Sequence, residues 1–89
     1  LSVRDKIRLI FHITGQTVDL IETRPYFQPP HDWHQHPIAR FRYVASRRIW
    51  KLYCKYRDLR WHSYQPLPEG SFQRLLTEVD RDPTGIFWG

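Results

Sequence analysis

Residues 37–67 read PIARFRYVASRRIWKLYCKYRDLRWHSYQPL, three alternating segments separated by two short turns. Successive side chains of a strand point to opposite faces, so a period of two assigns each residue a side. The segments predict strands at 38–44, 49–56 and 59–64. With Ala45 to Arg48 as the first turn, Tyr43 faces Trp50, Phe41 faces Leu52 and Ala39 faces Cys54. With Arg57-Asp58 as the second, Cys54 faces Trp61. The expected core face is then Ala39, Phe41, Tyr43, Trp50, Leu52, Cys54 and Trp61. The opposite face is Arg40, Arg42, Lys51, Tyr53, Lys55, Arg60, His62 and Tyr64. A slip of one residue would exchange the two sets.

Upstream, Ile7, Leu9, Phe11 and Ile13 alternate with Lys6, Arg8, His12 and Thr14, predicting a half-buried strand at about 6–14. Gly15-Gln16 supplies a tight turn into a second strand at 17–24, with Ile13 opposite Val18 and Phe11 opposite Leu20. Four prolines (Pro25, Pro29, Pro30, Pro37) and a polar HDWHQH segment predict a loop over 25–37, because proline cannot donate to a ladder. Downstream, Leu67-Pro68-Glu69-Gly70 interrupts the strand pattern and Ser71 is placed to cap a helix. Phe72, Leu75, Leu76 and Val79 recur at i, i+3, i+4 and i+7, a helix over 72–80 with one apolar stripe. Ile86, Phe87 and Trp88 are expected to dock back on the domain. The expected fold is a single α+β domain over 1–89: a five-stranded antiparallel sheet, hairpin plus three-stranded meander, with one C-terminal α-helix packed on a face.

The chain's 89 residues are enough for one small core and not for two. Its net charge of +5 favours an anionic partner, and eight basic residues against the lone acid Asp58 fall between Arg40 and Arg60. Cys54 is the only cysteine, which excludes an intrachain disulfide and fits a cytoplasmic protein. No apolar run reaches membrane-spanning length, so no membrane role is expected. Repeats, low-complexity tracts, a phosphate-binding glycine-rich loop, a Ser-His-Asp triad and a C-x-x-C pair are all absent.

The runs IARFRYV, IWKLYCKYRDLRWHSYQPLP and LLTEVDRDPTGIFWG, with the ETRP motif at Glu22 to Pro25, resemble the bacterial domain-of-unknown-function family 3024 over residues 5–89. The string W-x-L-Y…D-L-x-W-H-x-Y carries most of that specificity. The resemblance implies a bacterial origin, a β-rich fold with a C-terminal helix, and no assigned activity. Cys54 stands where the family pattern favours a large apolar residue. Members carry an additional N-terminal segment, so the resemblance implies a truncation at Leu1.

Four features could carry chemistry. Arg and Lys neutralise phosphates and Tyr or His rings stack on unpaired bases, so the basic face reads as a nucleic-acid surface. The plain alternative is the solvated side of an antiparallel sheet. The cluster His31-Asp32-Trp33-His34-Gln35-His36 holds imidazoles of the type zinc takes, with His31, His34 and His36 as weak candidate ligands. Its spacing matches no standard site, and an exposed polar loop explains it. Glu22 and Arg24 share a face with Val18 and Leu20, as a structural ion pair or the fraying end of a strand. Cys54 has Lys51 and Lys55 nearby, but alternation points it inward, where it is an inert small hydrophobe.

The leading expectation is a non-catalytic binding module that uses Arg40, Arg42, Lys51, Tyr53, Lys55, Arg60, His62 and Tyr64. Its expected partner is single-stranded DNA or RNA, with an acidic protein as the other candidate, and no cofactor is implied. Two alternatives stand beside it. One is a small ribonuclease using Arg60, His62 and Tyr64. The other is a protein-interaction domain dimerising through aromatics such as Trp33 and Trp88.

Overall fold

A computed structural model describes residues 8–25 and 33–88 of the protein. Strands β1 (Arg8–Thr14), β2 (Thr17–Pro25), β3 (Trp33–Val44), β4 (Ile49–Lys55) and β5 (Trp61–Ser63) pair in sequence order, each antiparallel to the next. A two-residue strand β6 (Glu69–Gly70) pairs with β4 beyond the end of β5, and helix α1 (Phe72–Arg81) follows. The α+β arrangement expected from the sequence is the one observed. Lys6 and Ile7 lie outside the described residues.

The first hairpin has the register its turn dictates. Thr14 pairs with Thr17, Ile13 with Val18 and Phe11 with Leu20, around Gly15 at a φ of 57°. The β3–β4 hairpin likewise pairs Phe41 with Leu52 and Tyr43 with Trp50.

Two expectations are corrected. The segment 25–37 is not all loop, because β3 begins at Trp33 and pairs with β2 as far as Pro25. The register there shifts between Leu20, opposite Ala39, and Ile21, opposite Pro37, so Ile38 is the extra residue of a bulge. Pro37 itself pairs with Ile21 next to the bulged Ile38, a break in the ladder of the kind beside which sheets tolerate proline.

The second correction concerns β5. Cys54 pairs with His62 and Lys55 with Trp61, one residue away from the expected register. The loop contains Arg57, Asp58 and Leu59: the Leu59 amide donates to the Tyr56 carbonyl at 3.0 Å, and Leu59 takes a φ of 62°. A turn followed by a left-handed residue makes a three-residue hairpin loop, and the added residue reverses every side chain of the strand. Trp61 therefore leaves the core face, and Tyr64 enters it.

The core lies between the sheet and α1. It holds Val18, Leu20, Ala39, Phe41, Leu52, Cys54, Tyr64, Leu75, Val79 and Phe87. Ser71 caps α1 by accepting from the Arg74 amide at 3.2 Å. Phe72 sits at the centre of an aromatic group, 4.9 Å from Phe41 and 5.0 Å from Trp50 between ring centroids. Complete burial of Leu75 and Val79 stabilises by about 1.5–3 kcal/mol each. Asp82 ends the helix in the left-handed region, and its carboxylate accepts from the Phe87 and Trp88 amides at 3.1 and 2.8 Å. That folds the C-terminal apolar segment back, burying Phe87 and directing the Trp88 indole N–H to the Val79 carbonyl at 2.8 Å. Among the described residues no helix is long and apolar enough to cross a membrane.

Candidate nucleic-acid interface

Alternation in β3 and β4 sets the frame of the site on the sheet face away from α1. Arg40 stands opposite Tyr53 and Arg42 opposite Lys51, while Trp61 of β5 stands opposite Lys55. The Arg40 guanidinium lies 4.7 Å from the Trp61 ring centroid, and the Lys55 ammonium lies 4.9 Å from the same ring. Each such contact is worth roughly 0.5–2 kcal/mol, so Trp61 is held in place by the cations beside it. Tyr53 and Trp61 are both half-buried and keep part of their surface in solvent.

Carboxylates offset two of the cations. Asp19 of β2 stands opposite Arg40 and takes its guanidinium in two hydrogen bonds, 2.7 and 3.0 Å long. These bonds, opposed in part by burial and aided by Asp19's charge, move the Arg40 pKa further above its ordinary value. Glu69, opposite Lys51, is engaged by Arg47 at 2.9 and 3.1 Å. The Arg47 hydrogen bonds hold the Glu69 carboxyl below its usual range, with Lys51 adding a smaller effect of the same sign. Among the described residues Arg42, Lys51 and Lys55 form no ion pair, although Lys51 stands opposite Glu69. A shallow concavity of about 470 Å³ runs between Gln16, Thr17, Arg40, Arg42, Tyr53 and Trp61.

Five of the eight residues expected on this face are there: Arg40, Arg42, Lys51, Tyr53 and Lys55. Arg60 is exposed at the end of the β4–β5 loop. His62 and Tyr64 are not on the basic face, since the β5 register turns both toward α1's side. His62 stacks on Tyr56 with ring centroids 4.3 Å apart, and its Nε2 lies 2.8 Å from the Asp58 carboxylate. The Arg60 amide and then His62 hold the Asp58 carboxyl below its ordinary value. Tyr64 is buried and donates its hydroxyl to Glu78 at 2.7 Å. Of the trio Arg60, His62 and Tyr64, only Tyr64 is buried, its hydroxyl committed to Glu78, while His62 is engaged by Asp58.

Trp61 and Asp19 are the members that strand patterning alone did not place. Both registers of β5 alternate equally well, and Leu59 carries no mark of a positive φ. Asp19 was legible in principle, because the Thr14–Thr17 turn puts it on the polar side of β2.

Cys54 is buried as expected, and burial pushes its thiol pKa up, away from reactivity. Glu22 is buried in β2 opposite His36, while the Arg24 side chain lies outside the described residues. Of the histidine cluster, His34 and His36 belong to β3, whereas His31 and the His34 side chain lie outside what is described. Among the described residues no three His, Cys, Asp or Glu side chains gather as a metal site.

Residues 2–89 match a family described as a domain of unknown function, DUF3024. No curated protein and no solved structure matches the chain. With nearly its whole length matched and the strand-and-helix pattern in place, the chain belongs to the DUF3024 family.

Proposed function

We propose that this protein is a non-catalytic binding module that lays single-stranded nucleic acid across the sheet face opposite α1. One observation carries the reading: Arg42, Lys51 and Lys55, which form no ion pair among the described residues, surround the half-exposed rings of Tyr53 and Trp61 on the sheet face away from α1. Cations at strand spacing match a phosphate backbone, and rings beside them take unpaired bases, which a duplex keeps stacked inside. Arg40, paired with Asp19, lies 4.7 Å from the Trp61 ring centroid on the same face as these cations.

Fluorescence anisotropy of labelled single-stranded DNA and RNA, at two salt concentrations, tests it. Binding should exceed that of duplex, weaken with salt and persist near 150 mM, a roughly physiological ionic strength. Arg42→Glu combined with Lys51→Glu should remove it while leaving the free energy of unfolding within about 1 kcal/mol of the parent. Binding that prefers duplex, or that survives the double exchange, would overturn the assignment.

A further inference from the structure

Helix α1 packs against β4 and β6 and covers the β1 end of the same sheet face only in part, Phe72 lying 6.4 Å from Phe11 between ring centroids. There Leu9, Phe11 and Ile13 all point to the helix side and remain 55, 50 and 69% exposed. Beside this ridge runs a groove of about 320 Å³, floored by Leu20, Leu76 and Val79, walled by Trp88, and rimmed by Thr77 and Asp80. We infer that this patch docks a second copy of the chain, the two helix-side faces meeting so that each β1 ridge enters the other's groove.

Three observations select that occupant. First, a twofold contact needs one surface that complements itself, and here an apolar ridge and an apolar groove share Leu9 and Phe11 side by side. Second, Asp80 is the one formal charge among the described residues that line the groove, whereas Arg42, Lys51 and Lys55 occupy the opposite sheet face. Two copies of a +5 chain that meet helix side to helix side turn their cationic faces outward. Two stacked sheets keep those faces more than ~10 Å apart, beyond the screening length at physiological salt.

Third, the area is sufficient. Leu9, Phe11, Ile13 and Trp88 each leave roughly half of about 200 Å² in water, or about 400 Å² per copy. With the polar rim of both copies added, the contact reaches about 1,000 Å², the lower bound for a specific association. A contact of that size gives a weak dimer.

Sedimentation equilibrium of the full chain between about 1 µM and 1 mM, the range in which weak contacts titrate, tests the inference. The weight-average mass should climb from 10.9 kDa toward twice that value at 150 mM salt. Ile13→Glu and, separately, Leu9→Glu should each hold it at the monomer value through the range. Both positions are more than half exposed, so circular dichroism and the unfolding midpoint at 1 µM should match the parent. Arg42→Glu, on the other face, should leave association intact. A monomer at every concentration, or a dimer that persists in both β1 variants, would overturn the proposal.

Discussion

At the residue scale, Leu59 decides more than its position in a turn would suggest. A left-handed backbone sets the leucine Cβ against the following carbonyl, at about 1–2 kcal/mol. The side chain is 76% exposed and offsets little of that by burial. Glycine removes the clash, although its freer unfolded chain takes back about 0.4–1 kcal/mol. Leu59→Gly should therefore stabilise the domain by about 0.5–1 kcal/mol in urea unfolding, with the β4–β5 register unchanged. A loss of stability would show that contacts of the leucine side chain outweigh its backbone strain. The same residue explains the Trp61 correction: a glycine at 59 would have announced the three-residue loop, and a leucine conceals it.

At the scale of elements, the stripe Phe72, Leu75, Leu76 and Val79 was legible because a period of 3.6 leaves few other readings. What fastens α1 to β5 was not legible, since it depends on Tyr64 facing inward. The Tyr64 hydroxyl donates to Glu78 across that junction, so Tyr64→Phe should cost about 1–2 kcal/mol by chemical unfolding. Burial first, and the Glu78 hydrogen bond second, push the Tyr64 phenol above its ordinary value. The folded chain thus prefers the neutral phenol. That preference is fully present below the unfolded pKa near 10 and is lost as pH rises through the higher folded value. The stability gap between parent and Tyr64→Phe should accordingly narrow above pH ~10. A gap that stayed constant there would mean that the phenol titrates alike in both states.

At the scale of the whole molecule, the two sheet faces are divided by charge. Asp19 sits at the centre of that division, because it cancels Arg40 on the face that otherwise carries surplus cations. Asp19→Ala should release Arg40 to a phosphate. Affinity for single strands at low salt should then rise, and the slope of log K against log salt should steepen by about 0.7, the value for one added single-strand contact. The pair is partly exposed, so stability should fall by no more than about 1 kcal/mol. Weaker binding in that variant would mean that Arg40 serves as an anchor for Trp61 and does not itself meet the ligand.

The sequence by itself determined the elements whose signal is local: the Gly15 hairpin and its register, the alternation of β3 and β4, and the capped amphipathic helix. Each follows from a turn or a period contained in a few neighbouring residues. Only the tertiary structure decided where β3 begins and which face β5 presents. Trp33 to Pro37 read as loop from their prolines and polarity, yet β2 offers them a ladder, with a bulge at Ile38 beside Pro37. The strand of Trp61, His62 and Ser63 could take either face on its own alternation. Packing settled it, since the inward face seats Tyr64 against Phe87 and Glu78, residues contributed by the far end of the chain. Membership of the basic face was therefore fixed in part by helix and tail contacts distant in sequence, which no pattern within the strand encodes.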